Sequence, residues 1–340
     1  EKITDLLYRC YELSVNNQDI NPVFTKIIDR YNEIIKDLNI ELSLDEEYLE
    51  IKNNILNTKN QDYIASRGEY LNGIILANYI GFTFVDAKDM ILFNEDGSFN
   101  PEGTDLSVFN TLKDIEYAVI PGFYGSLPDG RVKTFSRGGS DITGSIIAKA
   151  VKASLYENWT DVSGVLMADP RIVKNPRVIE TLTYKELREL SYMGTTVLHE
   201  DATFPVRSEG IPINIRNTNS PKDKGTMIVP ALRIKNPQEI VTGIAGKTGF
   251  TTIIIEKDMM NSELGFGKKV LEVLSNNSIS FEHVPSSIDA ISVIVNSHDL
   301  IEKEEYIINQ IIKVVKPDSI MIEDGLALIA VVGHNMVRAK

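Results

Sequence analysis

The order of segments after Pro237 limits the fold more than any other feature. "GFTTIIIEKD" reads as a strand, "SELGFGKKVLEVLSNN" as a helix, "SISFEHV" and "DAISVIVN" as strands, "LIEKEEYIINQIIKVV" as a helix and "SIMIED" as a strand. Strands are signalled by β-branched runs between turn residues, helices by apolar residues three and four apart. The resulting β-α-β-β-α-β order is the ferredoxin-like arrangement. A further run, "LALIAVVG", starts another strand before the chain stops at Lys340, which reads as a second copy cut short.

Upstream, residues 5 to 38 carry Leu6, Leu7, Cys10, Ile27, Ile28, Tyr31, Ile34, Ile35 and Leu38 at helical spacing, and 44 to 58 continue in that way. After Gly81, "FTFVDAKDMILF" and "YAVIPGFYG" are short β-rich runs. Residues 145 to 157 read as an amphipathic helix, "ENWTDVSGVLMADPR" as a strand and loop, and 183 to 202 as helix before the strands "INI" and "GTMIV". Such alternation predicts an α/β sandwich with a largely parallel sheet. "VPALRIKNPQ", around 230 to 237, has two prolines and no helical period, and marks the boundary between the two regions.

At 340 residues the chain exceeds one ordinary core. Its net charge of −13 disfavours nucleic acid or an anionic membrane as partner, so any phosphate must be held locally. No segment approaches the roughly 18–20 apolar residues that span a bilayer, and the single cysteine, Cys10, forms no internal disulfide. With no secretory signal in the sequence, these features point to a soluble, cytoplasmic protein. His199, His283, His298 and His334 stand singly, without the spacing of a transition-metal site.

The local positive site is written in "TFSRGGSDITGSIIAKAV", residues 134 to 151. Asp141 is placed to cap a helix whose apolar face carries Ile142, Ile146, Ile147, Ala150, Val151 and Leu155. A helix start offers unpaired N–H groups and partial positive charge, and Gly138 and Gly139 let backbone approach an anion closely. A capped turn with a surface arginine is the plainer reading of the glycine pair alone. Thr160 and Asp161 at a strand end, then Asp169, Pro170 and Arg171 in a loop, add polar groups where parallel sheets collect ligands.

Together, "SRGE" (66 to 69), "RGGSD" (137 to 141), "WTDVSGV" with "DPR" (159 to 171) and "VLH" (197 to 199) resemble the aspartate kinase family of the amino acid kinase superfamily. The tail resembles the ACT regulatory domains that follow its catalytic domain. The resemblance covers nearly the whole chain. It implies a three-layer α/β/α sandwich over 1–232, a ferredoxin-like ACT domain over 238–325 and an incomplete second unit over 326–340.

It also implies roles. Thr4, Glu69 and Arg137 fall on aspartate-binding positions, Arg137 offering a planar fork to the α-carboxylate and Glu69 an acceptor to the α-ammonium. Asp141, with Arg137, falls at the catalytic centre, and Gly139, Ser140, Thr160, Asp161 and Arg171 on nucleotide-contacting positions. ATP and Mg²⁺ are the cofactors so implied, L-aspartate the substrate and 4-phospho-L-aspartate the product, at the first step of lysine, threonine and methionine biosynthesis. Met259, Ser262, Ser286, Ser287 and Asp289 would line an effector pocket for lysine, or else threonine. ACT strand edges imply a homodimer or higher oligomer.

Three departures stand beside the likeness. The family's opening strand and lysine-bearing glycine loop are not found in this sequence, so either that segment is missing from these residues or these residues by themselves cannot turn over. Thr195 and Thr196 stand where a lysine is common, and Leu166 where a tyrosine is. Other readings of the chain are a non-catalytic amino-acid sensor on a kinase scaffold, or a kinase acting on glutamate or acetylglutamate.

Overall fold

Four helices open the chain: α1 (Ile3–Val15), α2 (Asn21–Asp37), α3 (Asp45–Thr58) and α4 (Gln61–Ile80). The computed structural model describes all residues save 137, 195–197, 199, 232–239, 334, 335 and 337–340, and the side chains of Glu200 and Asp201. Leu6, Leu7 and Cys10 of α1, Phe24, Ile27, Tyr31 and Ile35 of α2, and Ile51 and Ile55 of α3 bury against Ile64, Leu71 and Ile75 of α4. Their three- and four-residue spacing is what puts them on one face. Asn60 starts α4 by accepting the N–H of Tyr63, and Gly81, at φ +73°, ends it. Cys10 is fully buried in this core, and burial pushes its thiol up to about 11.

Short strands follow. β1 (Thr83–Phe84) pairs in parallel with β2 (Ala118–Val119), which lies beyond α5 (Pro101–Leu112). β3 (Tyr124–Ser126) and β4 (Val132–Thr134) form a hairpin that leads into α6 (Gly139–Ala150). Met90, Ile91, Val108, Tyr124, Val132 and Ile146 form the core of this region. The next elements are β5 (Tyr156–Thr160), β6 (Thr181–Thr183), α7 (Tyr184–Tyr192), α8 (Glu200–Ser208), β7 (Ile213–Asn217) and β8 (Thr226–Val229). Their strands lie in the order β5-β7-β8-β6. β5 with β7 and β6 with β8 are parallel, while β7 with β8 is antiparallel, so the sheet is mixed.

The sequence places the helix after the glycine pair at 145 to 157, and the structure places it six residues earlier. Apolar periodicity runs on through Val151 and Leu155, but the backbone turns at Lys152, φ +53°, and Tyr156 already belongs to β5.

Two compact units emerge: Glu1–Leu166 with Arg177–Ser191 and Thr196–Gln238, and Met167–Pro176 with Tyr192–Thr195 and Glu239–Lys340. The boundary expected near 230 to 237 falls mostly outside the described residues. The second unit also takes in 167–176, where the Ile244 N–H donates to the Met167 carbonyl at 2.7 Å.

In the second unit, β9 (Gly243–Glu256), α9 (Phe266–Asn276), β10 (Phe281–His283), β11 (Ala290–Asn296), α10 (Ser297–Leu300), α11 (Glu304–Val315) and β12 (Ser319–Val332) make an antiparallel sheet ordered β10-β11-β9-β12. That is the ferredoxin-like order, with Ile253, Ile255, Val270, Val293, Ile307 and Ile311 inside. Where the sequence suggests two strands, β12 is one strand of 14 residues, its register shifting around Gly325. Among the described residues no helix is long and apolar enough to cross a membrane.

Candidate functional site

The glycine pair sits where β4 hands the chain to α6. Gly138 takes φ +58° as the residue before the helix, and the helical ladder begins with the Ile142 N–H donating to the Gly138 carbonyl at 2.9 Å. The N–H groups of Gly139, Ser140 and Asp141 therefore lie outside that ladder, at the positive end of the helix. Asp141 is not the cap that the sequence suggests. It is the third helical residue, because the freedom of Gly138 lets the helix start earlier.

The loop at 121–123 presses on this helix start. A Cβ on Gly139 would lie 2.7 Å from Phe123 Cβ, and one on Gly122 would lie 3.0 Å from Ser140 Cα. Phe123 itself has φ +70°, a backbone state that bulky side chains rarely adopt. It is held there by its N–H donating to Thr143 Oγ1 at 3.0 Å, while its carbonyl accepts the Phe135 N–H at 2.9 Å. Nothing local in "PGFYG" announces this strain, and sequence reasoning missed Phe123.

Asp141 is tied to β5. Asn158 Nδ2 donates to Asp141 Oδ1 at 2.8 Å, and the Tyr156 hydroxyl donates to the Asp141 carbonyl at 3.2 Å. Two residues on, Thr160 ends β5, its hydroxyl donating to Asp161 Oδ1 at 3.3 Å. Its carbonyl accepts both the N–H and the hydroxyl of Thr218, at 2.8 and 2.9 Å, at the neighbouring end of β7. The structure thus ties Asp141, in the first turn of α6, to the strand that ends at Thr160, just before Asp161.

Glu69 and Thr4 stand on α4 and α1, two helices that pack on each other. Ile3 and Leu7 of α1 pack on Gly68, where a Cβ would meet Ile3 Cγ2 at 3.4 Å and Leu7 Cδ1 at 3.6 Å, and Thr4 is exposed in the first turn of α1. Tyr31 donates to the Gly68 carbonyl at 2.8 Å. Burial raises the Glu69 carboxyl above the ordinary carboxylate range, and burial first and the Glu69 charge second raise the Tyr31 hydroxyl.

Arg67 of "SRGE" is 2% exposed, its guanidinium 4.5 Å from the Tyr63 ring centre, 4.4 Å from Tyr70 and 5.3 Å from Tyr124. The Tyr124 hydroxyl donates to Asp86 Oδ1 at 2.7 Å. This joins the helix bearing Glu69 to the residue after Phe123. A cavity of about 660 Å³, lined by Lys59, Asp62, Tyr63, Leu127 and Lys133 among others, takes in none of the expected site residues.

Other expected residues lie elsewhere. Arg137, Thr195, Thr196 and His199 fall outside the described residues. Leu166 bridges to Val178. Arg171 belongs to the second unit and pairs with Asp169 at 2.6 Å, which lowers the Asp169 carboxyl.

Within the second unit the five expected effector residues lie on two adjoining turns. The Met259 N–H donates to Asp289 Oδ1 at 3.0 Å, Met259 standing at φ +60°, and the Asn261 N–H donates to the Ile288 carbonyl at 3.1 Å. Ser262 closes the first turn onto the Met259 carbonyl, and the Ser287 N–H closes the second onto Ala290. Ser286 bridges to Ile291.

Residues 12–217 match the model of the amino acid kinase family. Aspartokinase 3 of Bacillus subtilis is 37% identical over 98% of this chain and 77% of its own length. The lysine-sensitive aspartokinase 3 of Escherichia coli is 27% identical over 65% of this chain, which spans 49% of that relative. The crystal structure of Clostridium acetobutylicum aspartate kinase is 51% identical, with a TM-score of 0.91, over 100% of this chain and 78% of that one.

Proposed function

This chain belongs to the aspartokinases of the amino acid kinase family, and on that premise we propose how its corner at Gly139–Asp141 transfers phosphoryl from ATP to the side chain of L-aspartate. The acceptor is a carboxylate with an ordinary pKa near 3.9, already ionised at neutral pH, so it attacks the γ-phosphorus without a general base. The products are 4-phospho-L-aspartate and ADP. The difficulty is to bring two anions together, and the remedy is alignment and fixed positive dipoles.

The Gly139, Ser140 and Asp141 N–H groups at the start of α6 receive phosphate oxygens. Thr160 and Asp161 contact the nucleotide, Glu69 accepts the α-ammonium of aspartate beside Thr4, and Arg137 forks its α-carboxylate. Phe123 walls the corner. Among the described residues no three His, Cys, Asp or Glu side chains converge, whereas Mg²⁺ on a nucleotide needs only one or two carboxylates besides phosphate and water. Asp161 fits that need, and the ion when bound would neutralise phosphate charge. ATP as donor supports work in the cytoplasm. The outer strands β10 and β12 support pairing of ACT units into a homodimer or larger assembly.

One observation carries this reading: a helix start with three N–H groups outside its ladder, pressed on a strained aromatic loop and tied through Asp141 to the strand of Thr160. The test incubates the full-length protein with Mg-ATP and L-aspartate and traps acyl phosphate as hydroxamate. Hydroxamate with aspartate, and none with glutamate or acetylglutamate, is the expected result. None with aspartate overturns the reading and leaves the amino-acid sensor.

The two turns at 257–262 and 286–291 support an effector pocket, and a lysine-sensitive relative supports lysine as its guest. Asp289 would receive the cationic end. Asp289→Asn keeps an oxygen for the Met259 N–H and removes the charge. The lysine concentration for half-inhibition is expected to rise at least about tenfold, as loss of a charge-assisted hydrogen bond implies. An unchanged inhibition curve would remove Asp289 from the pocket.

A further inference from the structure

Asn158 is a buried amide in the middle of β5, on the strand face it shares with Tyr156 and Thr160. One hydrogen of its Nδ2 goes to Asp141 Oδ1 at 2.8 Å and the other to the Tyr156 hydroxyl oxygen at 3.1 Å. Both donors are used, so the orientation of the amide is set. The Tyr156 hydroxyl in turn donates to the Asp141 carbonyl at 3.2 Å. Asp141 is thereby gripped at its backbone and at one carboxylate oxygen, with Oδ2 left to the site.

We propose that Asn158 is the positioning residue for Asp141, an uncharged donor that aims the carboxylate toward the transfer site from the strand that carries Thr160. This rests on the aspartokinase reading of Asp141. An amide suits the place because it donates at every pH, where a second carboxylate would donate only while protonated. Burial first, then the Asp141 charge, push the Tyr156 hydroxyl up to about 12, with the Asn158 hydrogen bond opposing, so Tyr156 stays a donor throughout the working range.

Among the described side chains, the other charged groups on the elements packed against α6 are engaged or point to solvent, Glu200 and Asp201 of α8 lying outside them. Glu157 of β5 pairs with Arg216, and Asp105 of α5 pairs with Lys149 of α6. Glu102 of α5 and Arg207 of α8 are exposed.

The experiment compares the full-length protein with Asn158→Ala and the near-isosteric Asn158→Asp from pH 6 to 9. Asn158→Ala is expected to lower kcat by about 10- to 100-fold while KM for L-aspartate moves less than about threefold. In Asn158→Asp two carboxylates in contact share one proton, whose loss moves above the ordinary carboxylate range. The protonated form still donates to Asp141 and the doubly ionised form repels it. Activity relative to wild type should therefore be high at pH 6 and fall as pH rises.

A pH-independent deficit in Asn158→Asp, or a kcat within about twofold of wild type in Asn158→Ala, would overturn the proposal. An inactive wild-type protein would sink the aspartokinase reading alone, because the coupling is also read from Tm. The folded pair has the raised pKa, so the Tm of Asn158→Asp should drop from pH 6 to 9 relative to wild type. Adding Asp141→Asn should abolish that drop, and a drop that survives counts against the proposal.

Discussion

Asp141→Asn lowers kcat by roughly 10²–10³-fold, the expected cost of losing a charged organising group from the transfer site. The substitution keeps the shape and leaves an oxygen for Asn158, so folding is preserved and the missing quantity is charge. A carboxylate beside two anionic substrates is useful only where it gathers positive charge between them, which is the role we propose for Asp141 in the first turn of α6. Asp141→Ala goes further: it abolishes turnover and orphans the buried Asn158 amide, at about 1–3 kcal/mol of stability. Steady-state kinetics with hydroxamate detection and thermal melts of both variants check this pair of outcomes. Near-normal kcat in Asp141→Asn would move the chemistry elsewhere.

Gly139→Ala is the second large effect. The added methyl would sit 2.7 Å from Phe123 Cβ and 2.9 Å from its Cα, and neither is the loose end of a flexible side chain. Either the 121–123 loop or the helix start must shift. Phe123 has little freedom to yield, since its backbone is already in the left-handed region and bonded on both sides. Displacement of this order at a transfer site costs about 10²-fold in kcat, and overpacking costs about 1–3 kcal/mol in stability. Kinetics and a denaturant melt read the two costs separately. A variant with wild-type kcat would show that the close approach is architectural only.

How much of this was legible beforehand differs from residue to residue. The ferredoxin-like order could be read because each of its elements has its own periodicity. That a helix starts at the glycine pair could be read from the apolar face that follows it, but the pair alone reads as a capped turn, and the anion reading came only with the neighbouring motifs. The start of α6 was misplaced, since a glycine in the left-handed region begins a helix without any capping side chain and leaves no mark on the periodic pattern. The partnership of Asn158 with Asp141 was hidden because "YENWT" gives only alternation, and which polar residue meets which helix is decided by packing 17 positions away. Phe123 was hidden for the same reason: its backbone state is imposed by Thr143 and Phe135, and its own neighbours do not dictate it. "SRGE" pointed to Glu69 alone, while the tyrosine cage around Arg67 brings together rings from α4 and β3.

The single thiol makes the helical opening of the chain readable in real time. Cys10 is fully shielded and its ionisation is suppressed, so alkylating reagents reach it only when the layer of α1 to α4 parts. Its labelling rate in the native protein is then a clock for local opening of the region that carries Thr4 and Glu69. A substrate that draws α1 and α4 together should slow that clock.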